Sequence, residues 1–416
     1  MSDVANTRDT VSRTLRKSWE STPIRAVRTT WGTLTGNLRT SGIYVAFVAI
    51  VALFAILTDG LSLGPTNLTN LVLQYSYILI LAIGMVMVII AGHIDLSVGS
   101  VVALVGAVSA TVVVRQDMPW WVGVLAGLLV GVAIGAWQGF WVAFVGIPAF
   151  ITTLAGMLLF RGLTALVLGN ISLGPFNSPY TEIAAGFSNG LLGGKGYDLF
   201  TVVVFALVVV AYAVSQWRAR AAKQAYQQKV EGIPQFAFKI LAVGAVVMAF
   251  AWQLANNRGL PYVLIIMAVL IIAYTLVTTR TVFGRHVYAM GGNRTAAALS
   301  GVKTKWVNFG VMLNMGVLAS VAGVVFASRS NAAQPAAGNM FELDAIAACF
   351  IGGASVSGGV GTVRGAMVGG LIMAVMSNGM QLLSIETSVQ QVVKGLVLLL
   401  AVAFDIYNKR RSGSVR

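Results

Sequence analysis

The feature that most constrains the fold is a polar break inside an apolar run of membrane length. Residues 91–100 read Ala-Gly-His-Ile-Asp-Leu-Ser-Val-Gly-Ser and lie between apolar runs at 71–90 and 101–114. His93 and Asp95 are the only residues in that stretch that can carry a charge. A carboxylate at bilayer depth costs about 2.5–3.5 kcal/mol on insertion scales, so it is tolerated mainly beside a cavity or a partner. Because lipid-exposed backbone cannot leave the helix, we expect the break to line protein or water.

Composition predicts an all-α polytopic membrane protein. The chain is 57% hydrophobic and 10% charged, with a mean hydropathy of +0.83, whereas globular domains carry about 25% charged residues. Eleven apolar windows are long enough to cross about 30 Å of hydrocarbon: 41–58, 71–91, 95–114, 120–145, 147–168, 199–217, 238–255, 262–279, 306–328, 363–384 and 388–407. The shorter window 341–354 is either a crossing or a re-entrant helix. We therefore predict eleven or twelve transmembrane segments with discontinuous helices.

The distribution of basic residues predicts the orientation. Most of the 28 Lys and Arg residues fall in 1–40, in the loop after residue 217, in 280–305 and in 409–416. Short loops rich in Lys and Arg stay in the cytoplasm, so we expect 1–40 and 409–416 to be cytoplasmic tails around a transmembrane domain at 41–408. A basic face that meets anionic lipid also accounts for the net charge of +15 without nucleic acid.

The sequence offers no obvious catalytic chemistry. The single cysteine, Cys349, excludes an intrachain disulfide and a cysteine-clustered metal site. No phosphate-binding Gly-x-x-x-x-Gly-Lys-Ser/Thr motif occurs, and His93 and His286 form no zinc motif. We therefore expect no catalytic residue, no metal and no cofactor. The chain is predicted not to be an enzyme, and an active pump built from it needs an energy source elsewhere.

A set of mostly uncharged polar residues within the apolar windows is the candidate solute pathway. Its members are Gln74, Asp95, Ser97, Ser100, Gln138, Asn314 and Asn378. Amides and hydroxyls suit a neutral, hydroxyl-rich solute, since they exchange hydrogen bonds at low electrostatic cost. The alternative for any one of them is an interhelical hydrogen bond worth about 0.6 kcal/mol. For Asp95, a function or a fixed structural partner is the stronger expectation.

Three further charges lie within apolar windows. We expect Arg161 and Lys394 to snorkel or to pair with helix ends. Arg364 is expected near an interface or beside a buried carboxylate.

Two loops differ from simple connections. Residues 169–198 form the longest predicted external loop, and they dock a soluble partner or merely connect two spans. In 280–305, Gly291-Gly292 predicts a sharp turn, Asn293 is a good N-cap, and a helical run ends at Gly301. Such a short capped helix fits a groove on another protein, although it is also compatible with an ordinary turn.

The first break has a partial counterpart near the C-terminus. Residues 97–101 are similar to 359–363, and a helix of small residues follows each. Paired interrupted helices in two halves indicate a midplane permeation site. The alternative is chance similarity in a chain with 46 glycines.

Several motifs together resemble the membrane permeases of bacterial monosaccharide ABC importers, the ribose and xylose group. They are Gly92-His93-Ile94-Asp95-Leu96-Ser97-Val98-Gly99-Ser100, Ile147 to Gly156, Tyr288-Ala289-Met290-Gly291-Gly292-Asn293, and Ile351-Gly352-Gly353 with Gly358-Gly359-Val360-Gly361. The resemblance covers nearly all of 43–408. Leu154 to Gly162 and Leu343 to Cys349 look most like the xylose and multiple-monosaccharide permeases.

The resemblance implies a subunit of an ATP-driven importer in the bacterial cytoplasmic membrane, carrying xylose or a related pentose or hexose. Its implied partners are a cytoplasmic ATP-binding subunit with two cassettes, an extracytoplasmic sugar-binding protein, a second copy of the chain, and membrane lipids. The family's cytoplasmic coupling segment falls on Gly291, Gly292, Asn293, Ala296, Ala297, Ser300 and Gly301. Where the family commonly has glycine, a small residue or an acid, this chain has His93, which leaves local pH dependence open.

Two other functions stay open at the level of sequence. One is a proton-coupled secondary sugar transporter in which Asp95 and His93 carry protons. The other is a membrane-embedded assembly subunit, which would show no solute flux.

Overall fold

The computed structural model describes residues 38–411 except 195 and 229. The predicted tails at 1–40 and 409–416 lie outside the described residues, apart from the helical backbone of 38–40 and 409–411. In chain order the elements are α1 (Leu38–Leu57), a 3-10 turn (Leu61–Leu63), α2 (Pro65–Ile90), α3 (Val98–Ala110) with a π-helical end (Thr111–Arg115), α4 (Trp120–Phe140) with a π-helical end (Trp141–Val145), α5 (Ala149–Leu168), α6 (Ser178–Ala185), β1 (Phe187–Ser188), α7 (Leu199–Ala225), α8 (Ile233–Ala255), β2 (Leu260–Pro261), α9 (Tyr262–Arg280), α10 (Val282–Gly292), α11 (Arg294–Leu299), α12 (Thr304–Ser330), α13 (Phe341–Ile351), α14 (Val363–Leu382) and α15 (Thr387–Arg411). The two short strands pair antiparallel.

The all-α polytopic membrane fold is confirmed. Among the described residues, 9 helices are long and apolar enough to cross a membrane, and Gly42–Leu57 and Thr387–Ala403 are shorter apolar helices. A helix therefore occupies each of the eleven predicted windows. The ambiguous window at 341–354 contains α13, whose 11 residues span only about 16 Å at 1.5 Å per residue. It is too short to cross the hydrocarbon core.

The chain divides into two compact units, and the smaller one includes Val204–Ala249, most of α7 and α8. Within it, the rings of Trp217 and Phe236 lie 6.0 Å apart. The Arg220 guanidinium lies 5.1 Å above the Phe236 ring and donates to the carbonyl of Glu231. An aromatic–cation contact thus joins these two helices near the connection between them.

In the larger unit, α2 is the central helix. Ile80, Leu81, Ile83 and Met85 are fully buried, and most of the remainder of the helix is buried too. A helix that is apolar around its whole circumference belongs in a core. The helices α9, α12, α13 and α14 surround it.

A stripe of glycines brings α4 and α12 into close contact. Every fourth residue of α4 is a buried glycine: Gly123, Gly127, Gly131, Gly135 and Gly139. A Cβ atom at Gly131 would collide with the side chain of Ser320 and lie 2.5 Å from the carbonyl oxygen of Gly316. Since lipid tails are as apolar as side chains, membrane helices associate through such close packing of small residues.

Gly131→Ala is expected to destabilise the protein, because the added methyl group meets backbone that cannot move independently. Overpacking of this kind costs about 1–3 kcal/mol. Gly162→Ala in α5 is the matched control, since nothing lies within 4 Å of its Cβ position and alanine favours the helix by about 1 kcal/mol. The thermal unfolding midpoint of the purified chain in detergent should fall for Gly131→Ala only. Equal midpoints would show that the two helices do not pack through this stripe.

Candidate functional site

The first polar break is a short non-helical segment between α2 and α3. The helix α2 ends at Ile90, residues 91–97 are not helical, and α3 begins at Val98. Gly92 has a positive φ of 82°, a conformation that glycine adopts at little cost. Ser97 lies at the N-cap position of α3.

Four of the predicted pathway residues form one buried hydrogen-bond network around this break. Asp95 Oδ1 accepts from the backbone N–H of Ser97 at 2.8 Å and from its hydroxyl at 2.7 Å. Gln138 Nε2 on α4 donates to Ser97 Oγ at 2.6 Å, and Ser100 Oγ donates to the Ser97 carbonyl at 2.7 Å. Asp95 is 1% exposed. Its carboxylate thus fixes the residue that precedes the positive end of α3, and Gln138 ties that residue to α4.

The other three predicted pathway residues lie apart from this network. Asn314 accepts from the Tyr274 hydroxyl. Asn378 and Asn67 exchange hydrogen bonds of 2.8 and 3.0 Å between their side-chain amides. Asn314 and Asn378 therefore each form a hydrogen bond between two helices, which is the alternative to a role in the solute pathway. Gln74 donates to Gln381 Oε1 at 3.2 Å and lines a cavity.

That cavity, which we name the amide cavity, lies between α2, α13, α14 and α15 and has a volume of about 350 Å³. Its polar and aromatic lining residues are Gln74, Tyr75, Tyr77, Asn339, Phe341, Asp344, Gln381, Thr387, Gln390, Gln391 and Lys394. Only Gln74 among them was selected from the sequence as a pathway residue. The adjacent amides Gln390 and Gln391 inside an apolar window are the sequence signal that could have indicated this cavity.

An ion pair lines the amide cavity. Lys394 Nζ lies 3.1 Å from both oxygens of Asp344, and the two side chains are 25% and 20% exposed. Lys394 was expected to snorkel or to pair with a helix end. Its partner is the carboxylate of Asp344, which lies in the first turn of α13.

The two other charges within apolar windows have different surroundings. Arg161 donates to the carbonyls of Pro335 and Ala337, so it fixes the segment that precedes α13 and is not bound to a helix end. Arg364 is exposed at the start of α14.

The second break meets the first one. It comprises residues 352–362, between α13 and α14. The backbone N–H of Gly359 donates to the carbonyl of Ile90 at 2.8 Å. A Cβ at Gly358 would lie 3.2 Å from Gly92 Cα. The two breaks thus lie in direct backbone contact, through residues 90–92 of the first and 358–359 of the second.

The predicted coupling segment lies against both breaks. A Cβ at Gly291 would collide with the Ile90 carbonyl and would lie 2.7 Å from Gly359 N. The Tyr288 hydroxyl donates to the Gly361 carbonyl at 2.7 Å, and burial raises the pKa of this phenol, so it remains a donor at neutral pH. We name this contact of Ile90–Gly92, Gly291–Gly292 and Gly358–Gly359 the glycine junction.

The local structure of the coupling segment corrects one expectation. Gly291 and Gly292 are the last residues of α10 and do not form a sharp turn; their small size allows the close approach at the glycine junction. Asn293 is the N-cap of α11, as expected, and its side chain accepts from the Ala296 N–H at 2.9 Å. Ala296, Ser300 and Gly301 are exposed, whereas Ala297 is buried.

A second cavity of about 520 Å³ lies beside the coupling segment. His93, Ile94, Phe150 and Arg294 are among its lining residues. His93 Nε2 lies 2.9 Å from Asn308 Oδ1, so its hydrogen-bond partner is an amide and not Asp95. Among the described residues, no three His, Cys, Asp or Glu side chains come together as metal ligands.

Interrupted helices that meet beside a short capped helix, within a bundle of apolar helices, are the architecture of a membrane transport protein. The chain belongs to the family of permease components described as "Branched-chain amino acid transport system / permease component", whose model matches residues 67–402. It is a multi-pass protein of the bacterial cytoplasmic membrane.

Individual relatives are sugar permeases. The xylose transport system permease protein of Escherichia coli K12 is 39% identical over 376 residues, 90% of this chain and 94% of the relative. Its namesake from Haemophilus influenzae is 38% identical, over 90% of this chain and 98% of the relative. The ribose import permease protein of E. coli K12 is 34% identical, over 88% and 94% of the two chains. No solved structure matches the chain.

Asp95→Asn is expected to keep the stability of the protein, because asparagine retains an oxygen that accepts from Ser97. Asp95→Leu removes that acceptor and leaves buried donors unpaired, at a cost of about 1–3 kcal/mol. The thermal midpoint in detergent should therefore fall for leucine alone. A similar loss in both variants would mean that the negative charge, and not the hydrogen bonds, stabilises the start of α3.

Proposed function

We propose that this chain is the permease subunit of an ATP-driven importer that carries a monosaccharide, xylose or a related pentose or hexose, into the cell. The observation that carries the proposal is the glycine junction, where the coupling segment touches both broken helices at once. The similarity to xylose and ribose permeases supports the choice of solute.

The glycine junction supports a mechanism of coupling. Non-helical segments absorb changes in φ and ψ more easily than helices do, so they are natural hinges. Because Gly291 lies against both Ile90 and Gly359, a displacement of α10 and α11 acts on the two breaks together. The chain itself supplies no chemical step in this mechanism; its residues transmit motion and select the solute.

The proposed assembly contains a cytoplasmic ATP-binding subunit with two cassettes, an extracytoplasmic sugar-binding protein and a second copy of this chain. The coupling segment and both termini face the cytoplasm in this proposal. Residues 169–198 then lie on the extracytoplasmic side of the membrane.

Residues 169–198 form one surface with the segment after α12, because Leu173 and Ala333 exchange backbone hydrogen bonds of 2.9 Å and Asn331 accepts from Phe176 N–H at 2.9 Å. A surface tied together in this way supports docking of the binding protein.

Uptake into proteoliposomes tests the proposal. The full chain is reconstituted with its ATP-binding subunit and binding protein, and labelled xylose, ribose and leucine are offered. We expect uptake of a sugar only when all three proteins and ATP are present, and no effect of a protonophore. Sugar uptake by the chain without its partner proteins, if a protonophore abolishes it, would instead establish the proton-coupled carrier. Uptake of leucine but of neither sugar would refute the proposal that the solute is a monosaccharide. No flux of any solute would favour the assembly subunit.

Leu299→Glu is expected to reduce ATP-dependent uptake on the order of tenfold, the effect of losing about 1.4 kcal/mol of docking energy. Leu299 is 85% exposed at the end of α11, where a large apolar side chain fits a partner's groove. Leu299→Met, which keeps an apolar side chain of similar volume, is the control. Both variants should unfold at the wild-type temperature, since the side chain is exposed. Normal uptake by Leu299→Glu would place the docking contact elsewhere.

A further inference from the structure

We propose that the amide cavity is a binding site for a single monosaccharide ring within the permease itself. This inference rests on the proposed function and names the residues that would contact the sugar during its passage. The wall formed by Tyr77 and Phe341 would hold the apolar face of the ring. The amides of Asn339, Gln390 and Gln391 would pair with its hydroxyl groups, as would the ion pair.

The size of the cavity suits a single sugar ring. Its volume of about 350 Å³ lies near the lower end of the range of about 300–1,000 Å³ for small-molecule sites. A pentose or hexose ring fits within this volume.

The polar lining matches a hydroxyl group in kind. A sugar hydroxyl both donates and accepts, and a side-chain amide does the same through its nitrogen and oxygen. Gln390 Nε2 donates to the Ile385 carbonyl at 2.8 Å, which holds the side chain in place and leaves its oxygen as an acceptor. Within the described part of the chain, no hydrogen bond occupies the side-chain amides of Asn339 and Gln391.

The ion pair adds strong but neutral contacts. Lys394 binds both oxygens of Asp344 at 3.1 Å, and the pair as a whole has no net charge. Hydrogen bonds from a sugar to either charged group are stronger than those between neutral groups. A solute with a net charge would unbalance this pair, so the cavity favours neutral polyols.

The aromatic wall is rigid. The rings of Tyr77 and Phe341 stack with centroids 4.7 Å apart, and Phe326 contacts both edge-on, at 5.0 and 5.3 Å. Three mutually packed rings have little freedom to rotate. The C–H groups on one face of a pyranose form an apolar surface that packs against such a wall, while its hydroxyls point to the rim.

Protection from a thiol reagent tests the site directly. Cys349 is fully buried, so a charged methanethiosulfonate reagent should not label the wild-type chain. Gln391→Cys places a thiol in the cavity, and Gln253→Cys on α8 is the matched control outside its lining. The full-length variants are labelled in lipid nanodiscs with xylose, ribose, leucine or sucrose.

We expect xylose or ribose to slow the labelling of Gln391→Cys roughly fivefold when the sugar is at four times its Kd, by mass action. Sucrose and leucine should have no effect, and neither sugar should change labelling of Gln253→Cys. Labelling of Gln391→Cys at one rate under all conditions would overturn the inference. Protection by leucine but by neither sugar would show that the amide cavity binds an amino acid and not a monosaccharide.

Uptake separates failure of this inference from failure of the proposed function. Gln391 is exposed, so Gln391→Leu should fold normally, and its ATP-dependent sugar uptake should fall on the order of tenfold, the equivalent of about 1.4 kcal/mol. Normal uptake by Gln391→Leu, beside an active wild type, would overturn the site and leave the function intact. A wild type without ATP-dependent sugar uptake would overturn the function.

Discussion

The bilayer's intolerance of unpaired backbone groups is the constraint on which this structure depends. In lipid, each unsatisfied N–H or C=O costs several kcal/mol, so the chain leaves the helix only where the protein supplies partners. At the first break, Asp95 accepts from the Ser97 N–H. At the second, Gly359 donates to Ile90. Each interruption is therefore buried against another part of the chain, and the two breaks are satisfied partly by each other.

The sequence predicted the apolar helices because length and hydropathy alone decide them, and it predicted the cap at Asn293 because capping is local. It misplaced the turn at Gly291-Gly292, since a glycine pair indicates either a turn or a close approach, and the atoms approached belong to residues 90 and 359, distant in sequence. Asp95, Ser97 and Gln138 were recognised as polar outliers. Their network needed the fold, which alone brings α4 beside the break.

The same limit explains the residues that sequence reasoning overlooked. Asp344 was not singled out from the sequence, because an acid in a short apolar window shows no partner. Lys394 is 50 positions away, and only the packing of α15 against α13 brings the two together. Charged residues in membrane segments pair with one another or face a cavity, and these two do both.

The short helix α13 connects the two proposed sites. Its first turn carries Asp344 on the amide cavity, and its last residue precedes the break that contributes Gly359 to the glycine junction. It packs on α14 almost backbone to backbone, at Ala348 against Gly369. A helix of 11 residues is about 16 Å long and moves as a unit, since bending it would break its internal hydrogen bonds. In the proposed importer, a displacement that enters at Gly291 would therefore reach the amide cavity as a shift of Asp344 relative to Lys394, so the coupling segment and the proposed sugar site would act on the same ion pair.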